Sequence, residues 1–103
     1  MNYKDISAEE MLRLQQEQPD ALVLDVRTPM EVSQGRIPSA QVIDLMDRQF
    51  MQKVEALDKT KPYVVYCRSG NRSAQACNYM AGRGFDTLYN LNGGIGGWPY
   101  EIE

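Results

Sequence analysis

Histidine is missing altogether from these 103 residues, and cysteine occurs only twice. The first absence excludes Ser-His-Asp and Cys-His catalysis and removes the commonest zinc ligand. The second leaves too few thiols for a disulfide framework, and Cys67 and Cys77 lack the spacing of a metal site. No metal and no cofactor is therefore expected. A surplus of positive charge is also missing: the net charge of −3 argues against nucleic acid as a partner. No apolar run approaches the length needed to span a bilayer, so no membrane role is expected. Met1 to Glu10 is polar and lacks the apolar stretch of a signal peptide, which makes the cytoplasm the expected location. There is no internal repeat and no low-complexity tract. Whatever chemistry the chain performs must run on a thiol, carboxylates, arginines or the backbone.

What is present is an ordinary globular composition, 43% hydrophobic and 24% charged. Its length suits a single domain over residues 1–103, and no apolar surplus demands a partner copy, so a monomer or weak dimer is expected. Short apolar runs alternate with helical stretches, the pattern of an α/β domain with a mostly parallel sheet. Ser7-Ala8-Glu9-Glu10 is a capping box that predicts a helix from Ala8 to about Glu17, with Met11, Leu12 and Leu14 inward. Residues 21–26 (ALVLDV) read as a strand buried on both faces. Thr28-Pro29-Met30-Glu31 opens a short helix that should stop at Gly35. Residues 41–43 form a second strand, and residues 47–57 a helix with Phe50, Met51, Val54 and Leu57 as its apolar stripe. Tyr63 to Tyr66 is the best strand by β-branched and aromatic content. A helix from about Arg72 to Arg83 follows, with Gly84 as its C′ residue, and residues 87–91 make the last strand.

The chemistry concentrates between the best strand and the next helix. Cys67-Arg68-Ser69-Gly70-Asn71-Arg72 is too short to wander, so its backbone must curl around whatever Cys67 presents. The N–H groups of that curl, with the first turn of the helix, form an anion nest. Gly70 supplies the backbone freedom the bend needs, and Arg68 and Arg72 add two permanent positive charges. Such surroundings favour thiolate over thiol, giving a nucleophile at neutral pH without a general base. The same cradle suits an incoming anion. A buried structural cysteine with solvent-facing arginines is the bland alternative, but two arginines at a helix N-terminus oppose its dipole unless an anion is bound.

Three ordered segments carry a resemblance. Residues 65–73 (VYCRSGNRS) resemble the active-site signature of rhodanese domains. Leu24-Asp25-Val26-Arg27, Glu31 and residues 35–40 (GRIPSA) resemble their N-terminal signature, and residues 91–98 (LNGGIGGW) their C-terminal one. The resemblance implies a five-stranded parallel sheet with helices on both faces. It implies that Cys67 takes a sulfane sulfur from a small anionic donor such as thiosulfate and passes it to a thiophilic acceptor, a protein thiol or sulfur-relay partner among them. Arg68, Ser69, Gly70, Asn71 and Arg72 would hold the donor and the persulfide. The family often has histidine where Arg36 stands, glycine at Ser39 and an aromatic at Val32. Phosphatases and arsenate reductases of related fold carry a loop one residue longer, and the smaller ring here suits one sulfur atom better than a tetrahedral oxyanion. A sulfur carrier loaded by a partner protein is the non-enzymatic alternative.

Other residues read as structural. Cys77 shares a helical face with Ala74 and Ala81, which favours core packing over a resolving-thiol role. Asp25 should pair with Arg27 or accept loop N–H bonds. Asp44 and Asp47 form no acid/base pair, Gly93 to Gly97 serve a turn, and Trp98 anchors the core.

Overall fold

A computed structural model describes residues 2–103. The strands are β1 (Lys4–Ile6), β2 (Leu22–Asp25), β3 (Gln41–Val42), β4 (Tyr63–Tyr66) and β5 (Leu88–Leu91), and the helices α1 (Ala8–Glu17), α2 (Pro29–Val32), α3 (Phe50–Glu55) and α4 (Asn71–Ala81). They build one five-stranded sheet in the order β1-β5-β4-β2-β3, with every pairing parallel. The fold is the expected α/β class, and its sheet is wholly parallel. Among the described residues, no helix is long and apolar enough to cross a membrane.

Side-chain alternation along the strands divides the core in two. Leu24, Tyr63, Val65 and Leu88 face Phe50 and Val54 of α3 and Ala76, Cys77 and Met80 of α4. Val23, Val64, Tyr66 and Leu91 face the opposite way, onto Met11 and Leu14 of α1 together with Ile37 and Ala40. Helices therefore cover both faces, which is why β4 is buried at all four positions and reads as an unbroken apolar run. Cys67 continues the β4 alternation and belongs to the α3/α4 side.

Local signals place the helix ends. Ser7 and Thr28 both complete capping boxes, with Glu10 and Glu31 returning the bond to the cap N–H. Past the end of α4, Phe85 N–H donates to Met80 O and Gly84 N–H to Ala81 O, a Schellman pair with Gly84 at φ +92°. Gly84 is thus the C′ residue the sequence predicts.

One strand goes unread and two expectations need correction. β1 goes unread in the sequence because only Ile6 of its three residues is buried, so Lys4 and Asp5 leave an edge strand without an apolar pattern. The third helix is shorter than residues 47–57, because Asp47 and Asp44 accept nearby backbone N–H groups in turns ahead of it. Met51 is 61% exposed and does not belong to the stripe of Phe50 and Val54.

Candidate active site

β4 delivers Cys67 to the carboxyl end of a strand paired on both sides. Residues 68–70 then turn the chain into α4, whose cap is Gly70 at φ +111°. A Cβ there would meet nothing closer than 3.7 Å, so glycine is needed for its backbone angle and not for space. The tight curl expected of this segment is present. Gly70 N–H donates to Cys67 Sγ at 3.1 Å, and Ser73 Oγ lies 3.5 Å from the sulfur.

Burial pushes the Cys67 thiol up. The Ser73 hydroxyl and the N–H groups of Ser73, Gly70 and Ser69 outweigh it and hold the thiol below its ordinary value. These are short-range contacts from backbone and one hydroxyl. The expected pair of free arginine charges is corrected in part. Arg72 spends its guanidinium on Glu31, with Nη1 to Oε1 at 2.7 Å and Nη2 to Oε2 at 2.8 Å. That bidentate grip, aided by Thr28, holds the Glu31 carboxyl at about 2 against its partial burial. Arg68 is exposed, and among the described residues its side chain makes no hydrogen bond or ion pair. Ser69 and Asn71 are exposed, Asn71 as the first residue of α4.

The second half of the site comes from parts the sequence reading assigned to a turn or passed over. Ile95 N–H donates to Cys67 O and Gly96 N–H to Arg68 O, both at 2.9 Å, so the loop's carbonyls are held from outside while its N–H groups turn inward. Gly94 and Gly96 have no room for a side chain. A Cβ on Gly94 would lie 2.5 Å from Arg68 O and closer still to Cys67 O, and one on Gly96 2.9 Å from Arg68 O. Gly93 to Gly97 therefore clamp the loop as well as turning the chain. The signal was the glycine run itself, but only the fold shows what presses against it. Asn90, buried in β5, donates to Gly70 O at 3.2 Å and accepts from Ser73 Oγ. No sequence cue marks it.

Around this loop the first signature forms a scaffold. Asp25 is fully buried and takes Arg27 side-chain bonds at 2.7–3.1 Å, the Arg27 backbone N–H at 3.0 Å and the Tyr66 hydroxyl at 2.7 Å. Arg27 also donates to the carbonyls of Glu31 and Gly35, so its charge braces α2 and the following bend. Asp25 is thus the structural residue expected. Ser39, where the family often has glycine, sits at φ +69°, in the left-handed region that favours glycine. Trp98 is half-buried against the α1-side core and donates its indole N–H to Glu101 O at 3.0 Å. Beside the loop lies an open cavity of about 220 Å³, lined by Arg27, Glu31, Gln34, Arg68, Ile95 and Gly96.

The chain compares closely with known proteins. Residues 7–100 match the family model described as rhodanese-like domain. A protein named putative sulfurtransferase YtwF from Bacillus subtilis is 39% identical over 103 residues, covering 100% of this chain and 97% of its own. A sulfurtransferase from Allochromatium vinosum is 37% identical over 91% of this chain and 86% of its own. Among solved structures, a rhodanese-like domain protein from Staphylococcus aureus superposes with a TM-score of 0.84 at 30% identity, over 97% of this chain and 96% of that one. Fold, signature segments and relatives agree: the chain belongs to the rhodanese-like domain family.

Proposed function

We propose that this chain is a sulfurtransferase that carries a sulfane sulfur as a persulfide on Cys67. The observation that carries the reading is the Cys67 sulfur itself, ringed by N–H donors in a loop that lowers its pKa without any histidine. Relatives named sulfurtransferase support the general activity, and a thiosulfate sulfurtransferase from Pseudomonas entomophila, 33% identical over 93% of this chain, supports thiosulfate as donor.

The Cys67 thiolate attacks the outer sulfur of thiosulfate. A sulfur–sulfur bond to Sγ forms as the bond to the sulfonate sulfur breaks, and sulfite leaves with the electron pair. An acceptor nucleophile, cyanide in assays or a protein thiol in the cell, then attacks the outer sulfur, and Sγ departs as thiolate. The Ser69, Gly70 and Ser73 N–H groups stabilise negative charge on either sulfur. Arg68, whose side chain makes no hydrogen bond or ion pair among the described residues, stands at the adjoining cavity and draws the donor anion. Ser69 and Asn71, exposed on the loop, meet the incoming donor, and Arg72 braces the loop through Glu31. The reduced thiol this cycle needs suits a reducing compartment such as the cytoplasm.

Intact mass after brief incubation with thiosulfate tests the proposal. A gain of one sulfur atom, mapping to Cys67 and lost on reduction, is expected. No gain with Cys67 still free would sink thiosulfate as donor and favour loading by a partner protein.

A further inference from the structure

While the Cys67 sulfur is neutral, the hydrogen bonds behind it favour one arrangement of protons. Asn90 Nδ2 faces two pure acceptors, Gly70 O at 3.2 Å and Asp5 Oδ1 at 3.0 Å. Turning the amide over would set its oxygen against both, so the orientation is fixed. Its Oδ1 then faces Ser73 Oγ, and since Oδ1 carries no hydrogen the serine hydroxyl must be the donor. Ser73 is fully buried and has one proton to give. With that hydrogen directed at Asn90 Oδ1, Ser73 Oγ can offer only a lone pair toward Cys67 Sγ, 3.5 Å away.

A neutral sulfur suits this state, because a thiol S–H donates to the serine oxygen while Sγ accepts from Gly70 N–H. An anionic sulfur does not. It would face a lone pair unless the serine hydroxyl rotates toward it, and that rotation leaves Asn90 Oδ1 buried without a donor. Asn90 and Cys67 therefore compete for one proton.

We propose that Asn90 is a positioning residue that holds the Ser73 hydroxyl proton while the Cys67 sulfur is neutral and yields it when that sulfur becomes an anion. Its consequence for turnover rests on the sulfur-transfer reading above. In the persulfide, Sγ is bonded to the outer sulfur and uncharged, and the proton rests on the Asn90 side. As an acceptor takes the outer sulfur, the S–S bond breaks, its electron pair goes to Sγ, and the hydroxyl swings over to stabilise that leaving thiolate. No proton is transferred; one donor changes its acceptor. The competition also limits the thiolate in the resting protein, since the hydroxyl reaches the sulfur only by deserting Asn90. The charged groups near the sulfur are Arg68, Arg72 with its partner Glu31, and Asp5 behind Asn90. None is substituted in the variants below, and the Ser73→Ala background controls for the amide bond that Asp5 loses with Asn90.

The test is a pH titration of thiolate ultraviolet absorbance in a Cys77→Ala background, where Cys67 is the only thiol. Replacing Asn90 with Leu releases the hydroxyl to the sulfur, and the Cys67 midpoint is expected to fall by about one pH unit, the scale of one hydrogen bond to a charged group. Ser73→Ala removes the donor and should raise it. In the Ser73→Ala background, Asn90→Leu should move nothing. A merely structural Asn90 would loosen Gly70 and raise the midpoint with or without Ser73, and that result overturns the proposal, as does no shift at all. Asn90→Ala serves if the leucine variant fails to fold. A second readout is single-turnover discharge of the persulfide to cyanide, expected about tenfold slower in Ser73→Ala; an unchanged rate overturns the leaving-group role. Failure of the unsubstituted protein to form a persulfide would instead count against the sulfur-transfer reading, and the titration would still decide the proton competition.

Discussion

Cys67 and Cys77 lie ten positions apart on the same side of the sheet, 1% and 0% exposed, and their thiols are pushed in opposite directions. Burial alone raises both. At Cys77 nothing opposes it: Sγ faces the Tyr89 carbonyl at 3.6 Å, an acceptor that suits S–H, and burial with a smaller push from Asp5 lifts the thiol to about 12. At Cys67 the neighbours are backbone N–H groups and a hydroxyl that can turn its hydrogen to an anionic sulfur, and together they reverse the effect of burial. Seclusion does not decide a thiol's chemistry. The hydrogen-bonding sense of the atoms touching the sulfur does.

The contrast can be broken most sharply by exchanging each sulfur for oxygen. Cys67→Ser is expected to abolish thiosulfate-dependent sulfur transfer, and Cys77→Ser to keep most of it, in a cyanide-coupled assay. Activity surviving in Cys67→Ser would sink the assignment of the carrier. The donor ring can also be distorted with both sulfurs intact. Gly94→Ala would press a methyl group into the carbonyls of Cys67 and Arg68 and break the clamp. A loss of about 100-fold in kcat/KM, with about 1–3 kcal/mol lost in denaturant unfolding, is expected. Near-unchanged kinetics would show that the loop holds its shape without the clamp.

The Cys77 side sharpens the comparison through pH. Its folded pKa, about 12, lies above the ordinary thiol value, so the stability it contributes is whole below about 9 and lost as pH rises from there towards 12. At pH 10 this one group should cost roughly 1 kcal/mol. Cys77→Ala should remove that part of the loss between pH 8 and pH 10 in urea melts, and an unchanged slope would contradict it. Cys67, with its folded value depressed, works the other way, and its contribution fades as pH falls below the unfolded thiol value. The smallest effect concerns charge beyond the first contacts of the sulfur. Arg68→Ala should raise the thiosulfate KM by about three- to tenfold with little change in kcat, and no change would mean that the N–H ring alone suffices.

Much of the frame was legible because it is written locally. Capping boxes at Ser7 and Thr28, the apolar runs of β2 and β4, and Gly84 as C′ each depend on residues within one turn or one strand. The Cys67 to Arg72 loop was legible for the same reason, since a short link between strand and helix has few conformations. β1 was not, because an edge strand with one buried side chain has no pattern to read. Met51 was placed in a stripe by period alone, although only the position of α3 on the sheet decides which side of a short helix is covered.

The amino-acid sequence by itself determined the secondary-structure frame, the one thiol set in an N–H-rich loop, and the exclusion of histidine chemistry, because these follow from residue type and short-range geometry. Only the tertiary structure decided which charges and protons the thiol meets. Glu31 reaches Arg72 across 41 residues and quiets a cation that looked free, and Asn90 meets Ser73 across 17 and accepts its hydroxyl hydrogen bond. Such pairings are set by strand order and register. The parallel alignment that places Asn90 between Asp5 and Val65 also points it at the back of the loop.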